Sequence, residues 1–83
     1  MSTFDKIKSK ILSTPTVNDL TAKEIQHFLT TYGFILKRVK GSHFIYFFPS
    51  KNRNIMLNIP MHSPVKPYYI DQIRECILEI EGD

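Results

Sequence analysis

The feature that most constrains this chain is a glycine turn between two apolar runs near the middle of the sequence. The first run extends from Phe34 to Val39, and the second extends from Phe44 to Phe48. Short runs rich in Phe, Ile, Tyr and Val are typical of β-strands, and Gly41 supplies the positive φ that a tight turn between strands needs. The segment therefore predicts a β-hairpin whose second strand is mostly buried and begins close to His43.

A third strand is predicted a few residues after the hairpin. Ile55, Leu57 and Ile59 alternate with Met56 and Asn58. This alternation is typical of a strand that has one buried face and one exposed face. The sequence therefore predicts three consecutive strands.

Three further segments have apolar residues at helical spacing. The first covers residues 4–13, the second begins at a capping box formed by Thr21 and Glu24 and ends near Gly33, and the last begins near Pro67. The predicted apolar face of the last helix comprises Ile70, Ile73, Ile77, Leu78 and Ile80. The element order is α-α-β-β-β-α, and we predict an α+β fold in which a three-stranded antiparallel sheet has helices packed on one face.

The length of 83 residues allows a single modest core and no separate cofactor-binding domain. We expect residues 1–18 to form a helical extension and residues 19–83 to form the main domain. No apolar run approaches the ~18 residues of a membrane span, and the N-terminal residues show no apolar signal segment. With Cys76 as the one cysteine, these features predict a cytoplasmic protein without membrane association or a small-molecule cofactor.

Basic residues are concentrated in the middle of the chain. Residues 33–66 contain six basic residues and no acidic residue, whereas residues 67–83 contain five acidic residues and one basic residue. Cations interleaved with aromatic residues favour a polyanion such as nucleic acid, although such stretches also occur as solvated protein surface. DNA binding is less favoured, because no predicted helix is basic enough for a major groove. The six basic residues are Lys37, Arg38, Lys40, Lys51, Arg53 and Lys66.

Two histidines accompany the basic segment, His43 at the turn and His62 in the loop after the third strand. Imidazole titrates near neutral pH, so His43 is a candidate general acid or base for RNA cleavage, with a surface histidine as the alternative reading. For His62, phosphate binding or support of its loop is favoured over a role as a second proton carrier. Two histidines without a spaced carboxylate or cysteine do not complete a metal site, so no metal is expected.

The same residues resemble a known protein family. The motifs that carry the resemblance are Gly33-Phe34, Lys40-Gly41-Ser42-His43-Phe44-Ile45-Tyr46, Ile59-Pro60-Met61-His62 and Lys66-Pro67. Their order and spacing are similar to those of the HicA toxins of toxin-antitoxin pairs. The resemblance implies a fold like the double-stranded-RNA-binding domain, cleavage of mRNA by means of the histidine at position 43, and inhibition by a HicB-like antitoxin that covers the active site.

We therefore expect an endoribonuclease toxin, an mRNA interferase, in which His43 is the catalytic residue. Cations neutralise phosphate charge, and a glycine-serine turn allows close approach of the backbone. The residues expected to bind RNA are Lys37, Arg38, Lys40, Gly41, Ser42, His62 and Lys66. Two alternatives remain open: a non-catalytic RNA-binding module, and a protein that acts mainly in autoregulation through its antitoxin.

Overall fold

The computed structural model describes residues 2–50 and 53–82. Its elements are α1 (Thr3–Leu12), α2 (Ala22–Tyr32), β1 (Ile35–Lys40), β2 (His43–Pro49), β3 (Asn54–Pro60) and α3 (Pro67–Gly82). The strands form one antiparallel sheet in the order β1-β2-β3. The predicted α+β class and the α-α-β-β-β-α order are confirmed, and β1 begins and ends one residue later than predicted.

The predicted limits of α2 are confirmed in atomic detail. The Thr21 hydroxyl accepts a hydrogen bond from the backbone N–H of Glu24, and the Glu24 carboxylate accepts one from the backbone N–H of Thr21. These two bonds satisfy donors that the first turn of a helix otherwise leaves unpaired. Gly33 ends the helix with a φ of 121°, a conformation that residues with a Cβ rarely adopt.

The core lies between the helices and one face of the sheet. Ile7 and Ile11 of α1 are fully buried in the same cluster as the residues of the other helices and strands. The division of the chain between residues 18 and 19 stays a prediction, and α1 shares its apolar core with the main domain. The buried cluster comprises Ile7, Ile11, Leu20, Ile25, Phe28, Leu29, Phe34, Tyr46, Leu57, Ile59, Val65, Ile70, Ile73 and Ile77.

The prediction for β3 is confirmed, because Ile55, Leu57 and Ile59 are buried while Met56 and Asn58 are exposed. Two other burial predictions were too broad. Leu78 lies on the solvent side of α3 and is 58 % exposed, because it falls off the stripe that faces the sheet. In β2, Tyr46 is the buried residue and its neighbours are partly exposed, because the helices cover one face of the sheet.

The opposite face of the sheet, here called the outer face, carries His43 and two of the cations predicted to bind RNA, Arg38 and Lys40. The pairing between strands places Arg38 beside Ile45, Lys40 beside His43, and His43 beside Pro60. A β-bulge at Lys37 precedes these pairs, because the register passes from the pair Leu36–Tyr46 directly to the pair Arg38–Ile45. Lys37 is thus an extra residue in β1, and the two cations that follow it share the outer face with His43.

Within the described ranges, none of the three helices combines the length and the hydropathy that a bilayer-spanning helix requires.

Candidate active site

The turn between β1 and β2 is a two-residue loop between the paired residues Lys40 and His43. Gly41 has a φ of 61°, while Ser42 has a negative φ, as in a type II′ turn. The Ser42 carbonyl accepts a hydrogen bond of 2.8 Å from the backbone N–H of Met61. This bond fixes the turn to the segment that follows β3, so residues 42 and 43 lie close to His62.

His43 is exposed at the first position of β2, close to the predicted start of that strand. Among the described residues, its ring has one hydrogen-bond partner. Its Nδ1 atom lies 3.2 Å from Oδ1 of Asn58, which faces the same side of the sheet from β3. An amide oxygen only accepts hydrogen bonds, so the imidazole donates through Nδ1. In the neutral ring, Nε2 is then the unprotonated nitrogen that can accept a proton.

His62 is held by a different kind of neighbour. Its Nε2 atom lies 3.3 Å from Oγ of Ser42, and its backbone N–H donates to the carbonyl of Pro60. A serine hydroxyl can donate or accept, so this contact is compatible with both the neutral and the protonated imidazole. The turn therefore supports His62 without fixing its protonation state.

The two histidines line one cleft at this end of the sheet, together with Lys66 and Tyr69. The cleft has a volume of about 270 Å³, and its lining residues are His43, Pro60, His62, Lys66 and Tyr69. No acidic side chain is among them. A site of this size is smaller than pockets that enclose whole cofactors, and it suits a phosphodiester with the atoms around it.

The structure brings most of the predicted RNA-binding residues to this end of the sheet, although not all into the cleft. Gly41, Ser42 and His62 surround the turn, and Lys66 lines the cleft. Lys40 pairs with His43, whereas Arg38 lies farther along the outer face and Lys37 is the bulge residue. In the part of the chain that is described, Lys37, Arg38, Lys40 and Lys66 form no ion pair.

The remaining cations of the basic segment lie elsewhere. Arg53 is at the opposite end of β3 and contacts both carboxylate oxygens of Glu79, at 2.9 and 3.0 Å. Lys51 lies outside the described residues. The basic segment of the sequence is therefore not one continuous cationic surface.

The sequence alone revealed neither the contact of Asn58 with His43 nor the position of Tyr69 beside the cleft. Asn58 was predicted to face outward, but its contact with His43 depends on the cross-strand register, in which His43 is the neighbour of Pro60. Tyr69 lies in the first turn of α3 and reaches the cleft, whereas its neighbour Tyr68 is 64 % exposed. A polar residue on the exposed face of β3 was the one signal available beforehand.

Comparison with known proteins places these features in a family. The family model described as HicA toxin of bacterial toxin-antitoxin matches residues 22–79. No curated protein and no solved structure matches the chain at a significant level. The matched range begins after α1 and includes the turn, both histidines and Lys66. Because this range is more than half of the 83 residues, the chain belongs to the HicA family and is a toxin of a toxin-antitoxin system.

Proposed function

We propose that this toxin is a metal-independent endoribonuclease that cleaves mRNA and thereby arrests translation and growth, with His43 as its general acid or base. Toxins of the HicA family are generally mRNA interferases. The observation that carries the proposal is the acid-free cleft in which His43, His62 and Lys66 come together. Imidazole and ammonium groups are sufficient for transesterification of RNA, in which the 2′-hydroxyl attacks the neighbouring phosphorus.

The environment of His43 supports a role in proton transfer. The ring is exposed to solvent, so an RNA strand can reach it, and the Asn58 amide oxygen fixes its tautomer. Proton transfer by a positioned group contributes typically about 10²- to 10⁴-fold to a reaction rate. The Lys66 ammonium, in the same cleft, can neutralise charge that builds on the phosphate oxygens.

RNA binding is proposed to extend from the cleft along the outer face. Lys40 lies beside His43, and Arg38 lies on the same face, two residues before Lys40 in the chain. Lys37, at the bulge, adds a third cation to this edge strand. Contacts of this kind bind phosphates irrespective of base identity, so they hold the strand while the cleft performs the chemistry.

A HicA toxin implies an antitoxin partner. We propose that a HicB-like antitoxin covers the cleft and the turn, because both histidines and Lys66 are exposed and a single contact surface can hide them together. Acidic side chains on the antitoxin would complement the unpaired cations and accelerate the encounter. Toxin bound in this way cannot admit RNA.

The proposed function is tested with purified protein and a defined mRNA in excess EDTA, because the chemistry requires no metal. His43→Ala should lose at least about 100-fold in cleavage rate, the lower range for general acid–base catalysis. Its thermal stability should be unchanged, because the side chain is exposed. The matched control is His27→Ala, which removes a histidine of α2 that lies outside the cleft.

Cleavage by His43→Ala at the parental rate would show that His43 is not catalytic. RNA binding without cleavage by the parent protein would favour the non-catalytic module. Activity that disappears in EDTA and returns with one divalent metal would show that the chemistry depends on a metal.

A further inference from the structure

We propose that His62 is the general acid of the cleavage reaction and that His43 is its general base. This assignment rests on the proposed endoribonuclease function and deepens it, because it gives each histidine a separate step. The two rings enter the cleft from different segments, His43 from the start of β2 and His62 from the loop after β3. The hydrogen bond between Met61 and Ser42 holds these two segments together.

In each ring, one nitrogen forms a hydrogen bond within the described part of the protein and the other does not. Nδ1 of His43 is engaged by Asn58, and Nε2 of His62 is engaged by Ser42. Across residues 2–50 and 53–82, neither Nε2 of His43 nor Nδ1 of His62 has a hydrogen-bond partner. Both available nitrogens are therefore free to exchange a proton with a substrate in the cleft.

The neighbours of the two rings fit these separate roles. Asn58 fixes His43 in the tautomer whose Nε2 lacks a proton, which is the form that a base requires. The Ser42 hydroxyl can accept from the Nε2–H of His62 both in the protonated ring and after Nδ1 has released its proton, so it supports the ring before and after proton release. A general acid has to exist in both of these forms.

The reaction then balances without another reactant. His43 takes the proton of the 2′-hydroxyl, and the 2′ oxygen forms a bond to phosphorus. The bond from phosphorus to the 5′ oxygen breaks, and that oxygen takes the proton of His62. The products are a 2′,3′-cyclic phosphate and a 5′-hydroxyl, and exchange of protons with water restores both histidines. Lys66 neutralises the additional negative charge on the phosphorane oxygens.

The alternative roles of His62, phosphate binding and support of the loop, make a different prediction. In those roles the ring acts on the substrate or the fold as a whole, so the nature of the leaving atom is irrelevant. A general acid is needed only when the leaving atom requires a proton. A thiol has a pKa of roughly 8.5, whereas an alcohol ionises near the pKa of water, roughly 15.7, so a sulfur leaving group departs without an acid.

The experiment compares two substrates that contain the bond that the parent protein cleaves. One is ordinary RNA, and the other has sulfur in place of the bridging 5′ oxygen. His62→Ala should be at least about 100-fold slower than the parent on ordinary RNA and should return to within a few-fold of the parent on the sulfur substrate. His43→Ala should be slow on both, because the base is needed for either leaving atom.

Two further variants separate catalysis from structure. His62→Gln keeps a polar side chain beside Ser42 but cannot transfer a proton, so it should behave like His62→Ala. Lys66→Ala should slow both substrates by a similar factor, because phosphate charge is present in either reaction. The expected end group on the ordinary product is a 2′,3′-cyclic phosphate.

Equal impairment of His62→Ala on the two substrates would overturn the assignment and identify His62 as a binding or supporting residue. Full activity of His62→Gln on ordinary RNA would overturn it as well. Both results leave the endoribonuclease function intact, provided that the parent cleaves and His43→Ala does not. Absence of cleavage by the parent would instead contradict the proposed function itself, and the assignment with it.

Discussion

The two ends of the sheet differ in whether their basic side chains are paired with acidic ones. At the loop end, where β2 ends and β3 begins, Arg53 is held by both carboxylate oxygens of Glu79. At the turn end, where β2 begins and β3 ends, the cleft contains His43, His62 and Lys66 without an acidic neighbour. Basic residues of the same sequence segment therefore differ in whether an acidic side chain pairs with them. Contacts across the fold show this difference, and the number of cations in the segment does not.

Acidic residues of α3 also stabilise the fold on the loop side. The Glu81 carboxylate accepts hydrogen bonds from Lys8 of α1, at 2.8 Å, and from the Tyr32 hydroxyl of α2, at 2.7 Å. The Tyr32 ring lies 5.9 Å from that of Phe48, which is near the end of β2. The hydrogen bonds from Lys8 and Tyr32 lower the pKa of Glu81. The pKa of Tyr32 is raised, mainly by burial of its hydroxyl and then by its hydrogen bond to Glu81. This cluster joins all three helices.

The largest expected difference between the two ends is in RNA affinity. Lys40→Ala combined with Lys66→Ala should weaken binding of single-stranded RNA about 10-fold or more, and should reduce the slope of log affinity against log salt by about 0.7 for each phosphate that is no longer neutralised. Arg53→Ala should leave both quantities nearly unchanged, because its charge is already paired with Glu79. The measurement is RNA affinity over a salt series for the parent and both variants.

The same assay examines the antitoxin. A partner that covers the turn end should displace RNA from the parent protein, and simultaneous binding of both would contradict the proposed location of the site. A larger decrease in affinity for Arg53→Ala than for the double variant would reverse the comparison between the two ends.

An intermediate effect is expected from Asn58, and a second asparagine on the same strand provides its control. Asn58→Ala removes the acceptor for Nδ1 of His43 and should lower kcat about 10-fold, which corresponds to ~1.4 kcal/mol in the activation free energy. Its KM should change little, because RNA phosphates are bound by other residues. Asn54→Ala, at the loop end of β3, is the matched control and should retain parental kcat. Equal activities of the two variants would show that the Asn58 contact does not position the histidine.

The smallest effect is expected from Glu81 and concerns stability alone. Because the pKa of Glu81 is lowered in the folded state, its contribution is complete above the ordinary value of 4.5 and is lost as the pH falls through the folded-state value. Glu81→Gln should therefore lower the free energy of unfolding at pH 7 by less than about 1 kcal/mol, as for exposed ion pairs. The difference in the free energy of unfolding between the parent and Glu81→Gln should disappear in acid.

Denaturant unfolding of parent and Glu81→Gln at several pH values provides the measurement. RNA cleavage at pH 7 should be the same for both proteins, because Glu81 is not among the residues that line the cleft. A stability difference that persists unchanged in acid would show that the carboxylate charge is not the source of the effect.

Local patterns in the sequence were sufficient for much of the fold. The hairpin, the capping box at Thr21 and the alternation of β3 each depend on neighbours within a few residues, and each is confirmed. The contacts that define the site depend on register and packing instead. Asn58 meets a residue 15 positions away, and Arg53 meets Glu79 at a separation of 26. Periodicity cannot reveal either contact, because neither partner is a neighbour on the same element.

The bulge in β1 has a consequence for how this fold tolerates a change in chain length. Removal of Lys37 would make Leu36 and Arg38 adjacent in the chain, and they are already successive in the pairing with Tyr46 and Ile45. The strand could thus lose this residue without a change in the register that follows it, and His43 would keep both of its partners in the sheet. Insertions and deletions at this position are therefore decoupled from the placement of the histidine, which leaves the edge strand free to vary in length while the turn stays in place.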